Sequence, residues 1–368
     1  MKKNNRFLVT LFSVLMGLIV GAIILLIAGY NPLQAYSVML KGIFGSPKYI
    51  AYTIIRSTPI ILTGIAVTFA FKTGLFNIGA EGQFMVGALF TTMAGYFLHL
   101  PPVLHAIVAL LVGMIAGALW AGIVGLLKAK SGVNEVISSI MLNWIALYLT
   151  NYALTFGAFR RPNSDASHKI LDSASIRVLG KWKTSEAGRA FLSNNSFFRD
   201  LLNPPLNYGI IIAILIAIAV WYILKNTTLG YQLKAVGSNK DAAEYGGINI
   251  NKNIIVSMAI SGGIAGLAGA TQVLGVSHQV GILAASEGYG FDGIAVSLIA
   301  NNNPLAAIPA GLLFGGLQYG GAKLNVIGAP SEIINIVIGV IVFFVAIPKL
   351  FDMGKKLINR NKRGEKVD

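Results

Sequence analysis

The sequence predicts an all-α polytopic membrane protein, and three observations support this prediction. The 368 residues are 55% hydrophobic and only 12% charged, with a mean hydropathy of +0.70, whereas soluble domains carry about 25% charged residues. Apolar runs long enough to cross a bilayer recur along the chain, since about 20 helical residues suffice. Basic residues gather at the ends of these runs and in both tails, as the positive-inside rule expects of cytoplasmic segments.

Composition also excludes several classes of function. The chain has no cysteine, which rules out disulfides and thiolate metal sites. Its four histidines form no pair at ligand spacing, so we expect neither a metal nor another cofactor. The formal charge of +15 lies at helix ends and in the tails, a placement that fits membrane topology and anionic lipid rather than nucleic acid.

The sequence contains neither a P-loop nor a dinucleotide-binding site. The pattern G-x-x-x-x-G-K-[ST] does not occur in the chain, so it cannot hydrolyse ATP through a P-loop, and we expect no enzymatic activity. Gly288–Gly293 fits G-x-G-x-x-G, but a dinucleotide site needs a preceding strand and an acidic residue about 20 positions later. Neither is present, and these glycines instead suit a chain that re-enters the membrane.

The N-terminal membrane half is predicted over residues 1–157. The first apolar run follows basic residues, but it is longer than a signal-peptide core and lacks a small-residue cleavage site, so we interpret it as a retained helix. An amphipathic connection follows over residues 31–48. The five predicted spans of this half are roughly Phe7–Tyr30, Ile50–Phe71, Ala80–Leu98, Val103–Leu127 and Val136–Phe156.

A polar insertion at residues 158–207 separates the halves. Residues 159–207 hold eight Lys or Arg and four acidic residues. Alternation of the spans places this segment outside the cell, and the positive-inside rule is weak for long loops. We therefore expect an extracellular insertion.

The C-terminal membrane half is predicted over residues 208–350, followed by a basic cytoplasmic tail at 351–368. Phe291–Ala300 is too short to cross unaided, which indicates a broken or re-entrant helix. Five spans in each half, about ten in all, would make the halves inverted repeats with both termini cytoplasmic. The segments of this half are Tyr208–Leu224, Ile254–Val276, Phe291–Ala300, Leu305–Gly321 and Ile333–Leu350.

A polar loop at residues 225–251 interrupts the second half. Its centre predicts a short helix in which Ser238 caps the first turn, Asp241 occupies the capping-box position and Gly246 ends the helix. Ala242 and Ala243 are small enough for a partner surface to approach closely. The loop is either a docking element or a solvated connection.

Polar side chains also occur near the apolar core. Polar groups inside a membrane are costly and usually face a cavity or a partner, so these residues are candidates for lining a substrate path; the alternative is hydrogen bonding between helices. Trp144 would add an aromatic face suited to a base or a sugar. The candidates are Asn77, Glu81, Gln83, Asn143 and Trp144.

Two sets of residues resemble a known family. Leu233–Asn239 followed by Ala242–Ile248 resembles the cytoplasmic coupling loop of binding-protein-dependent ABC import permeases, in the class that carries ribose, branched-chain amino acids and nucleosides. Gly74–Gln83 and Asn134–Trp144 resemble segments of its bacterial nucleoside branch. The resemblance covers roughly residues 30–350 without the insertion.

The resemblance implies a permease subunit of an ATP-driven importer in the bacterial plasma membrane. It implies nucleosides delivered by an extracellular substrate-binding lipoprotein, a second permease chain that is a paralogue, and ABC ATPase subunits that supply the energy. It further implies alternating access driven through the coupling loop. The residues implied to couple to the ATPase are Gly237, Ser238, Asn239, Asp241, Ala242, Ala243, Glu244 and Gly246.

Three other functions stay open at this point. The same architecture could import a ribose-like sugar or a branched-chain amino acid. A self-sufficient secondary carrier is a second possibility. A proton relay, however, needs a chain of ionisable groups, and the only other charged residues near the core are Arg56, Glu287 and Asp292. This scarcity argues against proton-driven transport. The third is a purely structural membrane component.

Overall fold

The computed structural model describes residues 3–330 and 332–344, with side chains from residue 14 onward. Regular structure in these ranges is helical, with isolated bridges in place of strands. The predicted all-α class is thus confirmed. The predicted tail 351–368 and the end of the predicted span Ile333–Leu350 lie outside the described residues.

Sixteen α-helices are named here in chain order. They are α1 (Lys3–Ile27), α2 (Pro32–Phe44), α3 (Pro47–Phe71), α4 (Ala80–Phe97), α5 (Leu104–Ser131), α6 (Glu135–Ala153), α7 (Gly180–Thr184), α8 (Glu186–Asn194), α9 (Ser196–Leu202), α10 (Gly209–Asn226), α11 (Thr228–Ser238), α12 (Lys240–Tyr245), α13 (Ile250–Gln272), α14 (Tyr289–Ile299), α15 (Ala307–Gly321) and α16 (Ile333–Phe344). A π-helical turn, Val273–Ser277, continues α13.

Within the described residues, five helical segments are long and apolar enough to cross a membrane. This finding supports a multi-pass membrane protein, while the ten-segment count stays a prediction. α14 and α16 are shorter apolar helices, and α14 falls where the sequence predicts a broken helix. The five segments are Pro47–Phe71, Leu104–Ser131, Glu135–Ala153, Gly209–Asn226 and Ile250–Ser277.

The described chain forms two compact units, one from residues up to 43 and from 317 onward, the other from residues 44–316. In the first unit, α1 packs on α16: an added Cβ at Gly17 would meet Ile341, and one at Gly21 would meet Val337. The Tyr36 hydroxyl donates to the Leu18 carbonyl oxygen over 2.5 Å. The predicted amphipathic connection is therefore the helix α2, which is fixed to α1 within this unit.

The second unit has a buried centre and an exposed periphery. Most residues of α3 and α13 are buried, whereas α5, α6 and α10 bury only a minor part of their surface. The buried α3 and α13 are rich in small and hydroxyl residues, whereas the peripheral α5 and α10 are more apolar. Small and hydroxyl residues suit packing between membrane helices, and apolar side chains suit contact with lipid. The three peripheral helices leave broad apolar faces available to lipid or to a partner chain.

Glycine pairs allow α5 and α13 to touch through their backbones. An added Cβ at Gly266 would meet the Gly113 carbonyl oxygen and the backbone of Gly117, and one at Gly262 would meet the Gly117 carbonyl oxygen. Small residues permit such close packing of membrane helices. Gly113 and Gly117, like Gly262 and Gly266, have the G-x-x-x-G spacing that is typical of such contacts.

The insertion predicted at residues 158–207 folds over the ends of α4 and α13. Its backbone bonds to both: the amide of Leu171 donates to Gly95 O over 2.8 Å, and that of Ile170 donates to His278 O over 2.9 Å. The Arg177 guanidinium also donates to two carbonyl oxygens of the π-helical turn. The insertion thus covers the end of α13 that is farther from α12.

Candidate functional site

The polar loop at 225–251 consists of α11, α12 and their caps. Asn239, rather than Ser238, caps α12, because its side chain accepts a hydrogen bond from the amide of Ala242 over 3.0 Å. Ser238 is instead the last residue of α11, and its hydroxyl donates to the Lys234 carbonyl oxygen. The expectation for Ser238 was therefore wrong by one residue.

The end of α12 also differs from the expectation. Gly246 has a φ of −76°, within the range of any residue. Gly247 has a φ of +77°, the left-handed region that favours glycine after a helix. The glycine that stops the helix is therefore Gly247.

α12 has an inner and an outer face. Ala243 is buried, so a partner protein cannot contact it directly, contrary to the expectation that both alanines face a partner. Asp241, Ala242 and Glu244 are exposed, and Tyr245 is 96% exposed. Sequence reasoning missed Tyr245, although a tyrosine at the end of a short polar helix is a recognisable signal for contact with another protein.

α11 contacts the turn that follows α3. An added Cβ at Gly237 would meet the Lys72 carbonyl oxygen and the backbone amide of Gly74. Gly74 itself has a φ of +71°, so glycine is favoured on both sides of the contact. Within the same turn, the Thr73 hydroxyl hydrogen-bonds the Ser257 hydroxyl of α13 over 2.8 Å.

Asn77 and Gln83 form a buried amide pair just beyond this turn. The Asn77 amide nitrogen donates to Gln83 Oε1 over 2.8 Å, and the Gln83 amide nitrogen donates to Asn77 Oδ1 over 2.9 Å. Asn77 also donates to the Ser261 hydroxyl of α13 over 2.8 Å. Because the two amides bond each other in both directions and Asn77 also bonds Ser261, the pair fixes the start of α4 against α13.

Asn143 joins α6 to the same segment. Its Oδ1 accepts from the amide of Gly82 over 2.8 Å, and its amide nitrogen donates to the Ile78 carbonyl oxygen over 3.1 Å. An added Cβ at Gly82 would collide with Asn143. The small residue at position 82 is thus what lets α6 approach this closely.

Glu81 holds the start of α14. Its two carboxylate oxygens accept from the backbone amides of Gly288, over 2.8 Å, and Gly290, over 2.6 Å. The side chain is completely buried. Backbone amides at the start of a helix have no helical partner, so these two bonds make Glu81 a latch between α4 and α14.

Trp144 lies apart from these residues. It is exposed on the outer face of α6, where its ring stacks beside that of Tyr148 with 6.2 Å between the ring centroids. The structure therefore brings four of the five candidate path residues together around residues 77–83 and leaves Trp144 outside. That they line a substrate path stays a prediction.

A charged group adjoins this network. The Arg56 guanidinium donates to the Tyr289 hydroxyl over 2.6 Å and lies 4.7 Å from the centroid of that ring. Phe84 packs against the other side of the site, with its ring centroid 5.0 Å from that of Tyr289. Of these three residues, only Arg56 stands out in the sequence, as a charge within an apolar run.

Metal binding finds no support in the part of the chain that the structure describes. No group of three or more His, Asp or Glu residues there is arranged to hold an ion. The chemistry of the site is instead that of hydrogen bonds between helices.

Comparison with known proteins agrees with this architecture. The guanosine ABC transporter permease protein NupP of Bacillus subtilis is 41% identical over 94% of both chains. The nucleoside ABC transporter permease protein NupB of Lactococcus lactis is 35% identical over 95% of this chain and 93% of its own. The glucose ABC transporter permease protein TsgB13 of Haloferax volcanii is 31% identical over 96% and 90%, respectively.

The two bacteria each have a second, more distant permease that this chain also resembles, at 29% and 27% identity. No solved structure matches the chain. The family described as the permease component of the branched-chain amino acid transport system matches residues 49–346. The chain therefore belongs to this family of transport permeases.

Proposed function

We propose that the chain is the permease subunit of an ATP-driven importer that takes up nucleosides. The observation that carries this proposal is the nearly full-length similarity to NupP, a guanosine permease. A sugar is the second candidate, because the glucose permease TsgB13 is also similar over most of its length. A branched-chain amino acid has the family description as its only support.

The proposed assembly contains three further kinds of subunit. An ABC ATPase supplies the energy, since the chain has no P-loop and its relatives are named ABC transporter permeases. A second permease is proposed as a paralogue because two relatives come from bacteria with a second similar permease. An extracellular binding lipoprotein would deliver the solute.

The proposed placement is the plasma membrane, with ten segments in two inverted halves and both termini in the cytoplasm. In this orientation the insertion at 158–207 faces outward and α12 faces the cytoplasm. Lys128 and Lys130 at the end of α5 support the assignment, because basic residues close to span ends favour the cytoplasmic side.

Coupling is proposed to begin at the exposed face of α12. Ala242 and Tyr245 would contact the ATPase, and displacement would pass from α11 to the turn at 72–74 through Gly237. The segment 77–83 continues from this turn and is bonded to α6, α13 and α14. Its polar side chains would then fix a wall of the solute path, which would open alternately to either side.

Two adjacent alanines give a sharp test of the docking face. We expect Ala242→Glu to leave the subunit folded but to separate ATP hydrolysis from uptake, because the added charge lies on the exposed face. Ala243→Glu should instead lower stability, since it buries a carboxylate. Ala187→Glu, on the exposed face of α8, is the control. Normal uptake by the Ala242 variant would contradict this docking face.

The solute is tested by competition. The complete transporter is reconstituted in liposomes with ATP inside the compartment that the ATPase faces, and uptake of labelled guanosine is measured. Excess unlabelled uridine or guanosine should reduce uptake, and excess ribose or glucose should not. Uptake of labelled glucose or ribose without uptake of labelled guanosine would replace the nucleoside assignment by the sugar assignment.

A further inference from the structure

A cavity lies beside the 77–83 segment, toward the end of α13 that is covered by the insertion. Part of the cavity is open. It is bounded by α4, α6, the π-helical turn and the irregular chain at 279–287. Phe84, Met85 and Val273 give it an apolar base. A small number of polar groups on an apolar surface is typical of ligand sites.

The irregular wall of this cavity is fixed in place. The side-chain amide of Asn151 on α6 donates to the Leu283 carbonyl oxygen and accepts from the Leu283 amide, both over 2.9 Å. Farther along, the Gly288 amide donates to Glu81. Because the wall is bonded to α6 at its middle and to α4 just beyond residue 287, the cavity is preformed.

Two acceptors lie at the cavity, and one of them is buried without a donor. Gln279 Oε1 is buried and makes no hydrogen bond within the described residues. A buried acceptor without a donor is rare and costly, which indicates that a bound molecule donates to Gln279. Glu287 lines the same cavity from an exposed position, where its carboxylate is accessible to a ligand and the positive charge of Arg56 acts on it.

The cavity also contains an amide with spare capacity. Gln272 donates to the Tyr289 hydroxyl over 3.4 Å, a long and weak hydrogen bond. The Gln272 side chain can therefore turn toward a ligand at little cost. Phe84, which packs on Tyr289 and is almost completely buried, adds an apolar contact to the cavity lining.

We propose that this cavity is a solute subsite that reads the donor edge of a nucleobase, with Glu287 and Gln279 as the acceptors. The proposal rests on the nucleoside function proposed above and refines it. Guanine presents a ring N–H beside an amino group, which a carboxylate accepts as a matched pair, as it does with arginine. Uracil presents one N–H between two carbonyl oxygens, and a carboxylate repels those oxygens. The subsite should therefore favour guanosine over uridine.

The test compares guanosine and uridine uptake by the complete transporter in liposomes. The binding protein is saturated with each nucleoside in turn, so that the permease sets the difference in rate. Glu287→Gln replaces one acceptor by a donor without changing size, and we expect the guanosine-to-uridine rate ratio to fall about tenfold, the factor typical of losing a hydrogen bond to a charged group. Gln279→Met removes the other acceptor at similar length and should lower the ratio about fivefold.

Glu186→Gln is the matched control, because it removes the same charge from the exposed insertion; its ratio should equal that of the unchanged transporter. Equal slowing of both nucleosides by the cavity variants, or no slowing, would overturn the subsite. If one variant fails to assemble, the other decides. If the unchanged transporter takes up neither nucleoside, the nucleoside function itself fails, and the proposal fails with it.

Discussion

The latch between Glu81 and α14 yields a prediction that can be worked from the structure. Glu81→Ala removes both acceptors from the backbone amides of Gly288 and Gly290. The Gly290 amide is buried and lies at the first turn of α14, where no helical carbonyl is available to it. The change therefore leaves amides without partners in the interior of the bundle.

The size of the effect follows from the two bonds. A hydrogen bond to a charged group contributes about 1.5 to 3 kcal/mol, so the free energy of unfolding should fall by about 3 to 6 kcal/mol in total. At about 2 °C per kcal/mol for a chain of this length, the melting midpoint should fall by about 6 to 12 °C. Glu81→Gln keeps one acceptor, so its melting midpoint should lie between those of the unchanged protein and Glu81→Ala.

The assay is thermal unfolding of the purified subunit in detergent, followed by the loss of the monodisperse peak on size exclusion. Thr92→Val is the control, because Thr92 is buried on the same helix and donates only to Ala88 O within that helix. Its midpoint should fall by about 2 °C or less, since one neutral hydrogen bond contributes about 1 kcal/mol. A Glu81→Ala midpoint no lower than that of the control would refute the latch.

Two further predictions concern packing and pH. Gly266→Ala places a methyl group against the backbones of Gly113 and Gly117, which cannot turn aside, so it should cost about 1 to 3 kcal/mol. Gly122→Ala is the control: no atom lies near its added Cβ, and it should gain up to about 1 kcal/mol from helix propensity. Equal melting midpoints for the two variants would contradict the close crossing of α5 and α13. Burial, with a smaller contribution from the Arg177 charge, lowers the pKa of His278 from 6.5 to about 4. Between pH 6.5 and 4 the unfolded chain binds a proton that the folded chain does not, so stability present above pH 6.5 is lost as the pH falls toward 4. After discounting for partial exposure, the loss of unfolding free energy is about 1 to 2 kcal/mol. His278→Asn should remove this pH dependence of the melting midpoint. An unchanged pH dependence in the variant would show that it arises from another group.

The helices could be predicted from the sequence because their signal is local. The first residue of α4, Ala80, was predicted without error, and the helix α14 falls within two residues of the predicted short segment. Apolar runs and glycine interruptions carry this information without reference to other parts of the chain. The cap of α12 was misplaced because α11 continues through Ser238 and takes up the side chain that would otherwise have capped the next helix.

The partners of the buried polar residues could not be predicted in the same way. Composition alone shows that Asn77 and Glu81 are costly near an apolar core, but Asn77 bonds a residue 184 positions away and Glu81 one 209 positions away. Pairings of this kind depend on how the helices pack. Gln279 illustrates the same limit, since nothing near it in the sequence distinguishes its unpartnered oxygen from that of any other glutamine.

The residues between α3 and α4 provide a route by which α12 would move the centre of the bundle under the proposed coupling. Gly237 meets the turn at 72–74 backbone to backbone, so no flexible side chain absorbs a displacement there. The chain then runs from this turn into α4, where the two bonds of Glu81 hold the start of α14. Coupling requires an element with two arrangements, whose equilibrium is shifted both by the ATPase contact and by the solute path. α14 suits this role because it is short, begins in irregular chain and is held at its start by side-chain bonds from Glu81, Thr63 and Arg56. Its position can therefore change without unfolding a complete span.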